Sequence, residues 1–462
     1  MLKQLSIISC ALMLSSCTAF LTDYERQEMP VVNSYEGAVA FTGSFIQENF
    51  WQSFNDPKLN DLMRRALLNN YDMQTAVVNV QKALLAVDIS GTDRHPTFDS
   101  TVGVSAQRAL DYHQETQKKS SANVGLSYQV DLFGKIEAQN LQTLEQFNAT
   151  AYDYWAMRLT VIDALSTAYW QYAYAKEAVA ISNEDLSDSQ KRLDLIENMF
   201  NAGSASEVDV SDAKINHLSV QRTLDSKLNE LAKARTALAT LLGTTADHDF
   251  DIGSLDDAHL PNFSLDIPAK LLSRRPDLMS KEATLKSYYS AYDEAKLSWF
   301  PDFTLSTNLT LGSVSTFGRF LSDPVGSLGA AITLPFLNFN RLIYQQKSAL
   351  KDIELADLDF VSAYINAVQE VYDEVSSIEY YRKEVINTKA QYELASRSYN
   401  LYYVRYMSGL VSLRDLLDAS DTLRSARLSH LASKRNQLQS TMALMVALGG
   451  DTETKLQENT VN

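Results

Sequence analysis

The chain is written twice. At a shift of about 205 positions, Leu67-Leu68-Asn69-Asn70-Tyr71-Asp72-Met73 falls on Leu272-Ser273-Arg274-Arg275-Pro276-Asp277-Leu278, and His95-Pro96-Thr97-Phe98 falls on Phe300-Pro301-Asp302-Phe303. Further on, Phe200-Asn201-Ala202-Gly203 meets Tyr406-Met407-Ser408-Gly409, and Ser206, Asp209, Asp212 and Ala213 meet Ser412, Asp415, Asp418 and Ala419 without a gap. Ala237-Leu238 and Leu242-Gly243 close the match on Ala443-Leu444 and Leu448-Gly449. Single pairs arise by chance, but a shift held within one or two residues over such a distance marks an internal repeat. Each structural element must therefore occur in two copies. The reading divides the chain into residues 1–16, a signal peptide; 17–57, an N-terminal extension; 58–250, a first repeat; 251–262, a linker; 263–455, a second repeat; and 456–462, a polar tail.

Both repeats have the same order: short helix, strand, loop, strand, very long helix, turn, long helix. Asp56-Pro57 offers an N-cap followed by proline at the first helical position, and helical spacing then runs to Gly91. After Pro96 the period changes to two. Phe98, Ser100, Val102, Val104 and Ala106 alternate with Thr97, Asp99, Thr101, Gly103, Ser105 and Gln107. Past a polar loop at 110–121, Ala122, Val124, Leu126, Tyr128, Val130 and Leu132 alternate with Asn123, Gly125, Ser127, Gln129 and Asp131. The second repeat sets Phe303, Leu305, Leu309 and Leu311 against Asp302, Thr304, Ser306, Asn308 and Thr310, and a fourth strand carries Leu328, Ala330, Ile332, Leu334 and Phe336. A half-buried soluble sheet gives the same alternation. Strands of about ten residues with one charge-free face also have the length of tilted membrane strands. In lipid, four such strands cannot stand alone: no open edge is tolerated there, and single-chain barrels begin at about eight strands. Closure then demands several copies, and three copies with twelve strands are the smallest comfortable cyclic solution.

The helices belong in water. From about Ile136 to Met199, and again over 341–408, neither proline nor glycine interrupts the chain. Sixty helical residues reach about 90 Å, roughly three times the hydrocarbon thickness, and Arg158, Asp163, Lys176 and Glu177 charge the first of them. Leu224, Leu228, Leu231, Leu238 and Leu242, then Leu431, Leu438 and Met445, have the spacing of coiled-coil seams. The helical hairpins are expected to turn at Gly203 and Gly409.

The first residues, MLKQLSIISCALMLSSC, combine Lys3 with an apolar run too short to span a bilayer. Leu14-Ser15-Ser16-Cys17 resembles a bacterial lipobox, so Cys17 is the expected lipidation site. Thr18 stands where an aspartate would resemble an inner-membrane retention signal, which favours the outer membrane. With 41 Lys+Arg against 57 Asp+Glu the formal charge is −16, which argues against a nucleic-acid partner. Two cysteines provide no disulfide framework and no cysteine-based zinc site. The histidines His95, His113, His217, His248, His259 and His430 lack metal-ligand spacing, and no catalytic or phosphate-binding motif occurs. Neither enzymatic activity nor a metal or cofactor is expected, apart from covalent lipid on Cys17.

From about 50 to 450 the chain resembles the TolC family of outer-membrane efflux proteins, and within it the lipoprotein branch that serves resistance-nodulation-division (RND) pumps. The resemblance rests on Trp51-x-x-Phe54-x-Asp56-Pro57-x-Leu59, Asp131-Leu132-Phe133-Gly134-Lys135, Arg275-Pro276-Asp277-Leu278, Phe300-Pro301-Asp302-Phe303, and Tyr406-x-x-Gly409 with Asp415-Leu416-Leu417-Asp418-Ala419. Leu337-Asn338-Phe339-Asn340-Arg341 departs from the family pattern of a phenylalanine and glycines before a basic residue, at the junction between fourth strand and helix. The resemblance implies an α+β membrane protein: a trimeric 12-stranded transmembrane β-barrel, four strands per protomer, continuous with a long periplasmic α-helical coiled-coil barrel. It implies a homotrimer in outer-membrane lipid that serves as the passive exit duct of a tripartite pump, with a periplasmic membrane-fusion adaptor and an inner-membrane RND transporter. Export of proteins through such a duct, or a periplasmic adaptor-like coiled-coil lipoprotein, are the competing readings; the adaptor would need no charge-free strand faces.

Matched residue by residue, the family's periplasmic gate falls on Asp415 and Asp418 as paired acidic positions, and on Tyr406 and Asp209 as tethers between inner and outer helices. A tethering arginine found in some members falls at Val411, leaving Arg414 as its candidate replacement. Ser206-x-x-Asp209 and Ser412-x-x-Asp415 are also capping boxes, which explain both aspartates without any channel. That explanation is weaker for Asp212 and Asp418, one turn further in.

Overall fold

The computed structural model describes residues 22, 24, 49–108, 116–247, 249–261, 274–313 and 324–450, with the side chains of 117–119 left aside. Cys17 lies outside the described residues. In chain order a 3-10 turn at Phe50–Phe54 precedes α1 (Pro57–Asn69), α2 (Tyr71–Thr92), β1 (Thr97–Gln107), β2 (Gln117–Val130), α3 (Lys135–Asn201) and α4 (Glu207–Leu241). The second repeat supplies α5 (Pro276–Leu297), β3 (Asp302–Ser313), β4 (Pro324–Thr333), α6 (Phe339–Met407) and α7 (Leu413–Ala447). Among the described residues no helix is long and apolar enough to cross a membrane.

Two compact units divide the chain. One holds Val78–Tyr152 and Met279–Ala363 together with Thr22 and Tyr24; the other holds Asp153–Leu278, Tyr364 onward and residues 49–77.

In the first unit the strands form one antiparallel sheet in the order β1-β2-β3-β4. The Asp131-Leu132-Phe133-Gly134-Lys135 motif makes the junction from strand to helix. Gly134 takes φ +83°, a conformation that a side chain disfavours. The Asp131 carboxylate accepts from the Glu137 N–H at 2.9 Å and so caps α3, while Phe133 stacks on Phe300 with centroids 4.6 Å apart. Because Asp131 turns to the helix, β2 ends at Val130, and Leu132 falls outside the strand expected to contain it. β2 also starts earlier than expected, at Gln117 within the presumed loop. The fourth strand stops at Thr333 rather than running through Leu334 and Phe336. Pro335 has no N–H to give a ladder, and it opens a 3-10 turn, Pro335–Asn338, from which α6 starts at Phe339.

The second unit explains the other motifs. Trp51 and Phe54 are buried at 1% exposure each, with the Arg158 guanidinium 5.3 Å from the Trp51 ring. Asp56 accepts from the Lys58 and Leu59 N–H groups at 2.9 and 3.1 Å, capping α1 behind Pro57. Its other oxygen accepts from the Tyr169 hydroxyl at 2.6 Å, which in turn accepts from the Gly253 N–H at 2.7 Å. The single helix expected from Asp56-Pro57 to Gly91 is two helices, because the Asn70 backbone is extended and its side-chain oxygen accepts from the Asp72 and Met73 N–H groups.

The repeat recurs in detail. Asn70 donates from Nδ2 to the Leu241 carbonyl at the end of α4, and Arg275 donates to the Ala447 carbonyl at the end of α7. Gly243 and Gly449, at φ +65° and +90°, follow those two helix ends. A Cβ on Gly243 would stand 2.6 Å from the Asn69 carbonyl oxygen, so that position also demands the smallest residue. Arg275 further holds Asp277 through two hydrogen bonds, of 3.0 and 2.9 Å, and Glu370 at 2.7 Å. Of the seam residues, Leu224, Leu238, Leu431, Leu438 and Met445 are buried, whereas Leu228 is exposed.

Candidate functional site

Two regions carry the functional question, one in each unit. The first is the sheet. Its register aligns Phe98↔Leu126, Ser100↔Val124 and Val102↔Ala122 across β1 and β2. It aligns Val124↔Leu309, Tyr128↔Leu305 and Val130↔Phe303 across β2 and β3, then Phe303↔Ile332, Leu305↔Ala330 and Thr307↔Leu328 across β3 and β4. Paired residues in a sheet point to the same side. One face is thus mostly apolar over all four strands, with Ser100 and Thr307 among it, and it is exposed at the outer strands: Phe98 is 80% and Leu328 87% exposed. The opposite face carries Thr97, Asp99, Thr101, Ser127, Ser306 and Asn308 in register. Among the described residues β1 and β4 each pair on one side only.

Polar groups fix the foot of the sheet. Asp302 receives the Gln129 amide at 3.1 Å and stands 3.6 Å from the Lys135 ammonium. Asp293 on α5 is 3% exposed and accepts from the Thr22 N–H and hydroxyl at 2.7 and 2.6 Å, with Tyr24 packed edge-on against Tyr289.

The second region is formed by the two helical turns. Gly203 and Gly409 take φ +74° and +70°, where the α3–α4 and α6–α7 hairpins reverse. After each comes a complete capping box. The Asp209 carboxylate accepts from the Ser206 N–H and hydroxyl at 2.8 and 2.7 Å while the Ser206 oxygen accepts from the Asp209 N–H. Asp415 and Ser412 repeat this at 2.9 and 2.6 Å. These hydrogen bonds hold both carboxyls below the usual aspartate range. Beneath the turns Leu193, Ile196, Ala213, Leu413 and Leu417 form one buried cluster, with Met199 and Tyr406 against it.

Tyr406 therefore bridges the hairpins by packing. Its hydroxyl points to the Met199 sulfur at 3.9 Å, and burial first, then the nearby Asp209 charge, raises its pKa. Asp212 is half-buried; Arg414, Asp415 and Asp418 are exposed. Among the described residues Arg414 has no ion-pair partner. Sequence reasoning missed Met199, and also Arg192, buried at 9% exposure and donating to the Tyr399 hydroxyl at 3.3 Å. Both contacts join the two repeats, and no local pattern announces them. Deeper in the unit, Glu374 is pushed up to about 7 by burial and by the charges of Asp163, Glu370 and Asp373. Among the described residues no three His, Cys, Asp or Glu side chains converge as a metal ion would require.

The comparisons agree with this geometry. A family model described as outer membrane efflux protein matches residues 62–244 and 267–450. The pyoverdine export outer membrane protein OpmQ of Pseudomonas aeruginosa is 28% identical over 473 aligned positions, covering 99% of this chain and 98% of its own. The probable outer membrane lipoprotein SilC of Salmonella typhimurium is 25% identical, over 97% of this chain and 98% of its own. The open-state MtrE outer membrane channel of Neisseria gonorrhoeae superposes with a TM-score of 0.83 at 24% identity, covering 94% of this chain and 99% of its own. With both halves matched and the mostly apolar sheet face in hand, the chain belongs to the outer membrane efflux protein family.

Proposed function

We propose that three copies of this chain close a twelve-stranded barrel in the outer membrane and act as the passive exit duct of a tripartite efflux pump, fed by a periplasmic adaptor and an inner-membrane RND transporter. The observation that carries this reading is the mostly apolar face shared by all four strands, uncharged from the level of Val104 to that of Ile332, with Lys118 at the far end of β2 opposite Ala106, together with the one-sided pairing of β1 and β4 among the described residues. An apolar face finds its solvent in lipid, and the open edges find their partners only in further copies. The lipid on Cys17 anchors the N-terminus to the same membrane. Thr22, five residues further on, is hydrogen-bonded to Asp293 in the unit that contains the sheet, which supports that placement.

The constriction is assigned to the helical turns. Asp418, exposed and outside the capping box, and Asp415 beside it line an acidic aperture of six carboxylates in a trimer; such crowding attracts cations. Tyr406 and Asp209 hold the two hairpins together until partners part them, with Asp212 half-buried next to them. The decisive experiment is reconstitution of the purified lipoprotein in planar bilayers. Discrete conductance steps are expected, and replacing Asp415 and Asp418 by Asn raises conductance and weakens cation preference. A wild-type protein that never conducts refutes the duct.

A further inference from the structure

We infer that Asp99, one from each copy, forms a ring of carboxylates inside the barrel that makes the membrane-spanning segment itself selective for cationic solutes. The inference rests on the trimeric reading above and concerns a different place in the molecule from the helical turns.

The side on which Asp99 lies follows from the register. Asp99 pairs with Gly125, Gly125 with Asn308, and Asn308 with Ser327, so the four positions make one level across the sheet. Phe98 and Leu126, the adjoining positions, belong to the apolar face; Asp99 lies on the other. A Cβ built on Gly125 would stand 2.6 Å from Asp99 Oδ1 and 2.7 Å from Asn308 Oδ1. Both side chains therefore lean into the space that residue 125 leaves empty, on the polar side. With the apolar face in lipid, that side is the lumen.

Asp99 is also uncompensated. It is exposed and, among the described residues, has no ion-pair partner. The other acidic residue on this face, Asp302, is held by Lys135 and Gln129. Lys119 pairs in the ladder with Ser105, six positions along β1 from Asp99, about 20 Å at the strand rise, too far for an ion pair.

Twelve strands about 4.8 Å apart and tilted about 40° put the backbone roughly 12 Å from the axis, so the carboxylates lie about 10 Å from it. That distance is well inside the Debye length at 0.01 M salt, about 30 Å, and far outside it at 1 M, about 3 Å. The ring consequently acts at low ionic strength and fades at high. Its preferred solutes are cations, and it discourages anions.

The test is the reversal potential of the reconstituted lipoprotein under a potassium chloride gradient near 0.01 M, for wild type, Asp99→Asn and Asp99→Ser. Each is repeated in an Asp415→Asn/Asp418→Asn background, so that the turn carboxylates do not mask the barrel. The expected result is a two- to fourfold loss of potassium-over-chloride permeability in both Asp99 variants in both backgrounds, little change at 1 M, and recovery when Thr101→Asp is added to Asp99→Asn. Variants that assemble and conduct with wild-type selectivity at low salt overturn the ring while leaving the duct intact. A wild-type chain without discrete conductance overturns the trimeric duct and the ring with it.

Discussion

An arginine at residue 124 separates lipid face from lumen face most sharply. The β2–β3 ladder runs from Ser120↔Ser313 to Val130↔Phe303, and Val124 pairs with Leu309 one position from its centre. At about 3.4 Å per residue and a tilt near 40°, the ladder spans about 29 Å along the membrane normal, close to the apolar band of about 25 Å. Val124 therefore lies about 3 Å from the midplane. Arginine there costs about 2–4 kcal/mol per copy, and a closed trimer carries it three times. A total of about 6–12 kcal/mol rivals the entire net stability of a typical folded domain. Leu309→Arg behaves alike, whereas Ser127→Arg, three residues along β2 on the polar face, projects into water and leaves assembly intact. The assay is the amount of heat-modifiable oligomer in outer-membrane fractions. Loss with Val124→Arg and Leu309→Arg beside near wild-type levels with Ser127→Arg is expected. Equal tolerance of all three, or a loss with Ser127→Arg alone, refutes the assignment of faces.

Further expectations concern the helical unit. Glu374, pushed up to about 7, keeps its proton in the folded state while an unfolded chain releases it near 4.5. The folded state therefore binds more protons between these values, and stability falls as pH rises through that window. Glu374→Gln removes the penalty: its melting temperature matches wild type at pH 4 and exceeds it at pH 8. The gain is about 1–2 kcal/mol once screening of the half-exposed carboxyl is allowed for. Arg275→Met removes the partner of Asp277, Glu370 and the Ala447 carbonyl together, and because both carboxylates are about half exposed a urea midpoint should register about 1–3 kcal/mol of destabilisation. Ser206→Ala and Ser412→Ala each remove one capping box and cost about 1 kcal/mol in the same assay, whereas Asp418→Asn leaves stability unchanged and alters conductance.

The strands were legible because a half-wet sheet writes its faces at period two, and the observed register joins Val130, Phe303 and Ile332 on the side that alternation assigns them. Their ends were less so. The first residues of β2, from Gln117 to Ser121, are all polar and imitate a loop. Leu334 and Phe336 continue the alternation on either side of Pro335, where the ladder has already ended. The division at Asn70 was hidden because helical spacing persists across it; only the side-chain cap reveals it. At the turns, the capping boxes are local and readable, since Ser206 and Asp209 lie one helical turn apart. The Tyr406–Met199 contact spans 207 residues and follows only from the packing of one repeat on the other. The equivalence of Asn70 and Arg275 is intermediate. Alignment pairs them, but the shared task of gripping a helix end through different chemistry emerges from the hydrogen bonds.

The closure of the sheet by neighbouring copies is tested most directly by backbone hydrogen exchange in the detergent-extracted protein, resolved to the outer amides of β1 and β4. A trimeric barrel predicts that these amides exchange as slowly as those of β2 and β3, because every one is paired. Outer amides that exchange within seconds beside a protected β2 and β3 contradict it.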